Sequence, residues 1–515
     1  MSSASVQELL GVGAGILPYV PLLLVAAFVI STVRSWYRLR HIQGPWLASV
    51  SSLWLLRSSF SGHQWKDTFE ASRKYGSLVR IGPNDLLTDD PDIIKRMSGV
   101  RSPYTRSNFY DAMTVHPYLP NLLCERDTAK HDKLRAQMAA GYAGKENPTL
   151  EADIDDQIST LISLIKRKYI STGSVSRPLD FAVVAQYFTL DVITKISYGD
   201  AFGFLARDED VHDYCKTIEE TMAVVTASCN VPIFHKLFTK PLLKIAGPSA
   251  KDKTGIGKLM GVAAEVVATR FGPDAKSRSD MTGSFVRHGL TQTQCESEVL
   301  LQILAGSDTT AVAVRHTVMR LITTPTTLMS LRTEIDTAIA EARISSPITN
   351  AEGKMLPYLQ AVIKESLRLH PPFTGLLLKE VPKQGDVLNG VFVPGGTRIA
   401  HSTWSMGRNS IFGPDADVFR PERWIEASEK QQDDMWRVAE LVFGYGRWGC
   451  LGKSVALMEL NKVFVELLRR FDFALIDATD PMKTWRSVNH NLFLQDNMWV
   501  RVTERTDLKG GIVAS

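Results

Sequence analysis

Cys450 stands in the run Phe443-Gly444-Tyr445-Gly446-Arg447-Trp448-Gly449-Cys450-Leu451-Gly452. After it, Lys453–Arg470 carries apolar residues at Val455, Leu457, Met458, Val463, Phe464, Leu467 and Leu468, the period of a helix. The cysteine is therefore expected on a glycine-rich loop at a helix N-terminus, where free N–H groups and the helix dipole favour thiolate over thiol. Glycines let the backbone approach a flat ligand and aim N–H groups at the sulfur. No second Cys or His lies near it in sequence, so tetrahedral zinc fits poorly, whereas a lone thiolate suits one axial position of a haem iron. The plain alternative is a buried free cysteine beside a turn.

A second cluster lies mid-chain. Thr293–Ile322 is long and mostly apolar, with Val299, Leu300, Leu301, Ile303 and Leu304 leading into Ala305-Gly306-Ser307-Asp308-Thr309-Thr310. Gly, Asp and Thr are poor helix formers, and hydroxyls bonded back to carbonyls loosen a helix. The run predicts a local opening that leaves room for a small ligand and sets an acid, Asp308, beside a hydroxyl, Thr309, a pair able to relay protons. Further on, Leu356–Pro372 reads as a helix stopped by a double proline, with Glu365 and Arg368 on one face. His131 and Arg135, four apart, share a face of another helix; a solvated basic face is the bland reading.

These elements sit in a chain of ordinary globular composition: 515 residues, 44% hydrophobic, 22% charged, net charge +4. The small charge gives no footprint for nucleic acid. Five scattered cysteines (Cys124, Cys215, Cys229, Cys295, Cys450) fit a reduced compartment rather than a disulfide framework. Residues 9–33 carry no charge, and about 20 apolar residues span a bilayer. Arg34, Arg38 and Arg40 follow, which predicts a single-pass anchor with residues 1–8 lumenal and 34–51 a basic, proline-containing linker into a cytosolic domain over 52–515. Val231–Ile245 mixes Ile233, Phe234, Leu237, Phe238 and Leu242 with Lys236, Lys240 and Lys244, a pattern for dipping into a membrane or for an ordinary loop over the core. Hairpins are expected over Val387–Ile399, around Asn389-Gly390, and near Asn489–Val502.

Phe443, Gly446 and Gly452, spaced seven and four before the cysteine and two after it, resemble the haem-ligand signature of the cytochrome P450 family. The likeness covers essentially the whole chain in order, and the chain resembles the microsomal, fungal-type, pisatin demethylase-like branch. It implies a mainly α fold with a small β-rich part behind an N-terminal transmembrane helix. It also implies haem b with Cys450 as axial thiolate, and cofactor contacts from Gly306, Phe443, Gly452, His131, Arg135 and Lys379. The family usually has Arg or His two before the cysteine; here that place holds Trp448, and Arg447 lies one earlier, so the propionate contact stays open between them. Thr309 is then the hydroxyl at bound dioxygen, with Asp308 feeding it protons. Glu365, Arg368 and Arg423 form a structural ion trio. Ile303, Leu304, Phe373, Thr374, Leu376 and Leu492 are expected to contact substrate.

The resulting expectation is a monooxygenase of the endoplasmic reticulum membrane, in contact with lipid, acting with O2 on an apolar small molecule of fungal secondary metabolism or detoxification. Electrons would come from NADPH–cytochrome P450 reductase, with cytochrome b5 as a second donor. Two rival classes remain: a haem-thiolate isomerase or dehydratase that needs no external electrons, and a non-catalytic haem-binding protein. The Asp308–Thr309 pair argues against both.

Overall fold

The computed structural model describes residues 19–114, 116, 118–273, 275, 277–476 and 485–505. The first part of the predicted anchor, and residues 1–8, lie outside them. Helix Val20–Leu39 is exposed along its apolar length and then continues past the predicted end at 33. Its last turn is part of the domain. Leu39 and Ile42 are buried with Leu86 and Ile399, and Arg80 Nη2 donates to Ser35 O at 2.9 Å. Gly44 passes so close that a Cβ there would lie 2.0 Å from Arg80 O. The predicted linker is thus mostly docked chain, and the folded domain begins before residue 52.

Helices make up most of the core. The long helix Gln292–Thr323 is capped by a reciprocal Thr291–Gln294 box, and it packs against Phe181–Tyr198, a helix buried almost all round. That approach is close because position 306 is glycine: a Cβ there would sit 2.6 Å from Ile193 Cδ1. The predicted opening at 305–310 does not occur. The helix is continuous, and Ser307 and Thr309 donate back to Ile303 O and Ala305 O at 2.7 and 2.8 Å, so the hydroxyls are satisfied without breaking the ladder.

The β part is small. A five-stranded sheet runs in the order Leu78–Gly82, Asp85–Thr88, Arg398–His401, Lys379–Glu380, Thr105–Arg106. Its last pair sets Arg106 directly opposite Lys379. Asp386–Leu388 and Val391–Val393 form the expected hairpin, turning on Asn389 and Gly390, both at positive φ. The C-terminal hairpin is shorter than predicted: Arg486–His490 pairs with Leu492–Asp496 around Asn491, and Trp499–Glu504 pairs instead with Phe471–Leu475.

Glu365, on helix Pro357–Leu369, is completely buried. Its Oε1 accepts from Arg368 Nη2 (2.7 Å), Arg423 Nε (2.9 Å) and Arg420 N (2.9 Å), and its Oε2 from Arg368 Nε (2.8 Å) and Trp424 Nε1 (2.9 Å). Arg368 also reaches the carbonyls of Gly407 and Ala416, and Arg423 that of Phe412. A buried carboxylate is stable only when its lone pairs are filled in this way. Glu365→Ala leaves the buried Arg368 without its carboxylate partner and Arg423 with Asp415 alone, and is expected to cost about 3–5 kcal/mol, read as a lower urea midpoint with unchanged slope.

Candidate active site

The Cys loop is held by its own backbone. Cys450 N donates to Phe443 O at 2.7 Å, closing the run into a tight turn. Gly444 and Gly446 sit at φ +74° and +54°, and a Cβ on Gly446 would meet Ser98 O at 2.6 Å. Arg135, on helix Thr128–Tyr142, clamps the loop by donating to Gly449 O at 2.6 Å. Helix Lys453–Leu468 begins directly behind Cys450. Burial pushes the Cys450 thiol up, and the N–H groups of Gly452 and Lys453, with Arg135, pull it down.

Cys450 opens onto a cavity of about 290 Å³ whose wall also includes Thr309. Of the residues expected at the cofactor, His131, Arg135, Gly306, Phe443, Trp448 and Gly452 line it; Arg447 and Lys379 do not. Arg447 turns outward to Asp132, Nε to Oδ2 3.1 Å. Lys379 lies fully buried behind Trp448, with Nζ 4.1 Å from the ring centroid and 3.4 Å from Tyr110 Oη. Of the expected substrate contacts, Phe373 is on the wall. Ile303, Leu304, Thr374, Leu376 and Leu492 are not. Leu376 packs with Leu378 and Tyr110, and Thr374 Oγ1 donates to Asn489 Oδ1 at 3.0 Å. The apolar wall is made by Leu122, Leu123, Ile193, Leu301 and Leu377. Asp308 is also off the wall: it is buried, and its Oδ2 accepts from Tyr214 Oη at 2.6 Å.

Sequence reasoning missed Arg106. It is buried on the cavity wall, its guanidinium 4.2 Å from the Trp448 centroid, and its Nη1 donates to Leu122 O and Glu125 O at 2.7 and 2.8 Å. Arg106 and Lys379 therefore face each other across one strand pair as like charges, an unfavourable arrangement by itself. Burial lowers both, Lys379 well below its ordinary value. His131, its ring tilted 50° to that of Trp448 with centroids 4.4 Å apart, is lowered to about 4 by burial and by Arg106, so it stands neutral. Trp448 Nε1 and Arg106 Nε are buried without a partner among the described residues. Glu459, the acid on the wall, is buried, and burial raises it well above the usual carboxylate range. One side of the cavity thus gathers cations and unused donors, and suits the carboxylates of a haem edge, with Cys450 as a thiolate ligand in the same cavity.

Sequence missed Glu298 as well. Its Oε1 accepts from Leu122 N at 2.7 Å and Ser297 Oγ donates to Leu119 O at 3.0 Å, so the long helix carries the loop that supplies Leu122 and Leu123 to the wall. Burial lifts Glu298 to about 8.

Comparison with known proteins gives the same reading. A family model described as cytochrome P450 matches residues 42–495. Cytochrome P450 monooxygenase ABA1 of Pyricularia oryzae is 48% identical over 502 residues, covering 96% of this chain and 97% of that one. Cytochrome P450 monooxygenase aba1 of Botryotinia fuckeliana is 43% identical over 471 residues (90% and 92%), and pisatin demethylase of Fusarium vanettenii is 30% identical over 485 residues (92% and 91%). The chain belongs to the cytochrome P450 family, and it is a monooxygenase that uses haem with a cysteine thiolate as axial ligand.

Proposed function

We propose that this protein inserts one oxygen atom from O2 into an apolar small molecule of fungal secondary metabolism. The observation that carries this is the cavity shared by Cys450 and Thr309, walled in part by leucines, Ile193 and Phe373. The haem, when bound, supplies the iron at which dioxygen is reduced and oxygen is transferred. Cys450 supplies the thiolate ligand. Arg106, Arg135, neutral His131 and the Trp448 indole would hold the propionates, with Lys379 packed against Trp448. Thr309 presents its hydroxyl to dioxygen. Asp308 supplies protons to it, which requires its carboxyl to leave the far side of the helix, because it stands off the wall. Phe373, Leu377, Leu122 and Leu123 exclude water and orient the substrate.

Helix Val20–Leu39 is long and apolar enough to cross a bilayer over Pro21–Leu39. We place it in the endoplasmic reticulum membrane as part of a single-pass anchor, with the N-terminus lumenal and the domain cytosolic. NADPH–cytochrome P450 reductase, or cytochrome b5, delivers the electrons. Support for a second membrane contact comes from the segment after Pro232. Phe238 is 64% and Ile245 86% exposed beside Lys236, Lys240 and Lys244, while Phe234 packs on Phe60 with ring centroids 6.3 Å apart.

Three measurements check these assignments. The ferrous carbon monoxide spectrum is expected to show a strongly red-shifted Soret band that Cys450→Ala abolishes, while Thr309→Ala keeps the band and diverts most reducing equivalents to hydrogen peroxide. Arg106→Met removes a charged hydrogen-bond donor worth about 1.5–3 kcal/mol and is expected to weaken haem retention by roughly tenfold or more, read as haem content after gel filtration. In a chain lacking residues 1–33, Phe238→Glu with Ile245→Glu is expected to lower binding to anionic vesicles by at least about tenfold. Unchanged binding would assign this face to solvent.

A further inference from the structure

Tyr214 belongs to no motif in the sequence, yet it holds the carboxylate on which proton supply depends. Its hydroxyl donates to Asp308 Oδ2 at 2.6 Å, and both residues are buried. Ser307 Oγ lies 3.3 Å from the same oxygen, but its shorter bond goes to Ile303 O. Tyr214 reaches this place through an unusual chain path. His212 and Asp213, directly before helix Tyr214–Asn230, both take left-handed backbone at φ +62° and +56°. Such residues persist only where their surroundings hold them. Here Asp213 Oδ2 accepts from Lys258 Nζ at 2.6 Å, and Asp210 accepts from the N–H groups of Cys215 and Lys216 at 3.0 and 3.1 Å.

We infer that Tyr214 is a positioning residue for the monooxygenase reaction: it fixes the orientation and protonation of Asp308 and ties proton supply to the seating of helix Tyr214–Asn230. The inference rests on Asp308 as the proton source. The groups facing Asp308 are few. Helix Tyr214–Asn230 brings Tyr214 and Cys215, with Asp210 beside Cys215, and the long helix brings Ser307 and Arg315. Helix Phe181–Tyr198 brings Gln186, which accepts from Arg315 Nη2 at 2.8 Å, and Asp191, which is taken up by the N–H groups of Gly203, Phe204 and Leu205. Burial pushes Asp308 up to about 6, and the Tyr214 bond and Arg315 pull against it. Tyr214 and Cys215 are pushed well up and stay protonated. A donor to the ionised form favours that form, so removing the hydroxyl raises the proton affinity of Asp308.

Tyr214→Phe keeps the ring and deletes only the donor. The infrared C=O band that is missing from Asp308→Asn reports the Asp308 carboxyl and can be titrated in the resting protein. In Tyr214→Phe its midpoint is expected to move up by about one pH unit, a tenfold rise in proton affinity. The pH dependence of peroxide released per NADPH should move the same way, and adding Tyr214→Phe to Asp308→Asn should change it no further. An unmoved band, or an undiminished effect of Tyr214→Phe in the Asp308→Asn background, overturns the inference. Peroxide release unchanged by Asp308→Asn alone would instead overturn the proton-source reading, and the band shift would still decide whether Tyr214 sets this carboxyl.

Discussion

One carboxylate, Glu365, fixes the path of the chain into the Cys loop. It sits in the protein interior, where an unpaired charge is costly, and is tolerable only because two arginines, an indole and a backbone N–H converge on it. Those donors come from Arg368 on its own helix and from the segment Arg420–Trp424, which precedes the helix Glu429–Ala439 and then Cys450. Arg368 and Arg423 also satisfy carbonyls of the 407–418 loop. The network therefore does in one place what several separate turns would otherwise do: it holds irregular backbone next to the site.

The cavity follows a similar logic with the sign reversed. A two-residue strand pair sets Arg106 opposite Lys379, and Trp448 lies against both cations within 4.2 Å. An aromatic face eases a desolvated cation such as Arg106 without neutralising it. The indole that replaces the family's usual basic residue keeps its N–H unpaired among the described residues, while Arg106 and Lys379 come from two strands remote in sequence. Arg135 adds a second guanidinium and spends one of its N–H groups on Gly449 O, which couples the charge of the site to the shape of the Cys loop.

On the other side, the long helix serves two faces. Ala305, Gly306 and Thr309 line the cavity, whereas Ser307 and Asp308 point into the contact with helix Tyr214–Asn230. Adjacent helical residues point about 100° apart, and here that rotation sets Thr309 on the cavity wall and Asp308 against Tyr214. Gly306 has a packing reason as well as a ligand-side one, because Ile193 occupies the place a Cβ would take. The same glycine brings helix Phe181–Tyr198 close enough for Ile193 to join the wall.

The sequence alone determined whatever depends on near neighbours. The glycine frame of Cys450, the Glu365–Arg368 spacing, the proline stops and the helical periods are local, and each appears at its place in the fold. Only the tertiary structure decided which side chains meet across long separations. Arg106, Tyr214 and Glu298 lie in segments with no distinctive pattern, and they act by facing Trp448, Asp308 and Leu122. Arg447 and Trp448 are equivalent on paper, and the turn at Gly446 sends one to Asp132 and the other to the cavity. The substrate-facing wall was the least legible part. Periodicity marks a residue as apolar and buried but not which neighbour buries it, so Leu376 and Ile303 went to the core while Leu377, one residue on and at positive φ, went to the cavity.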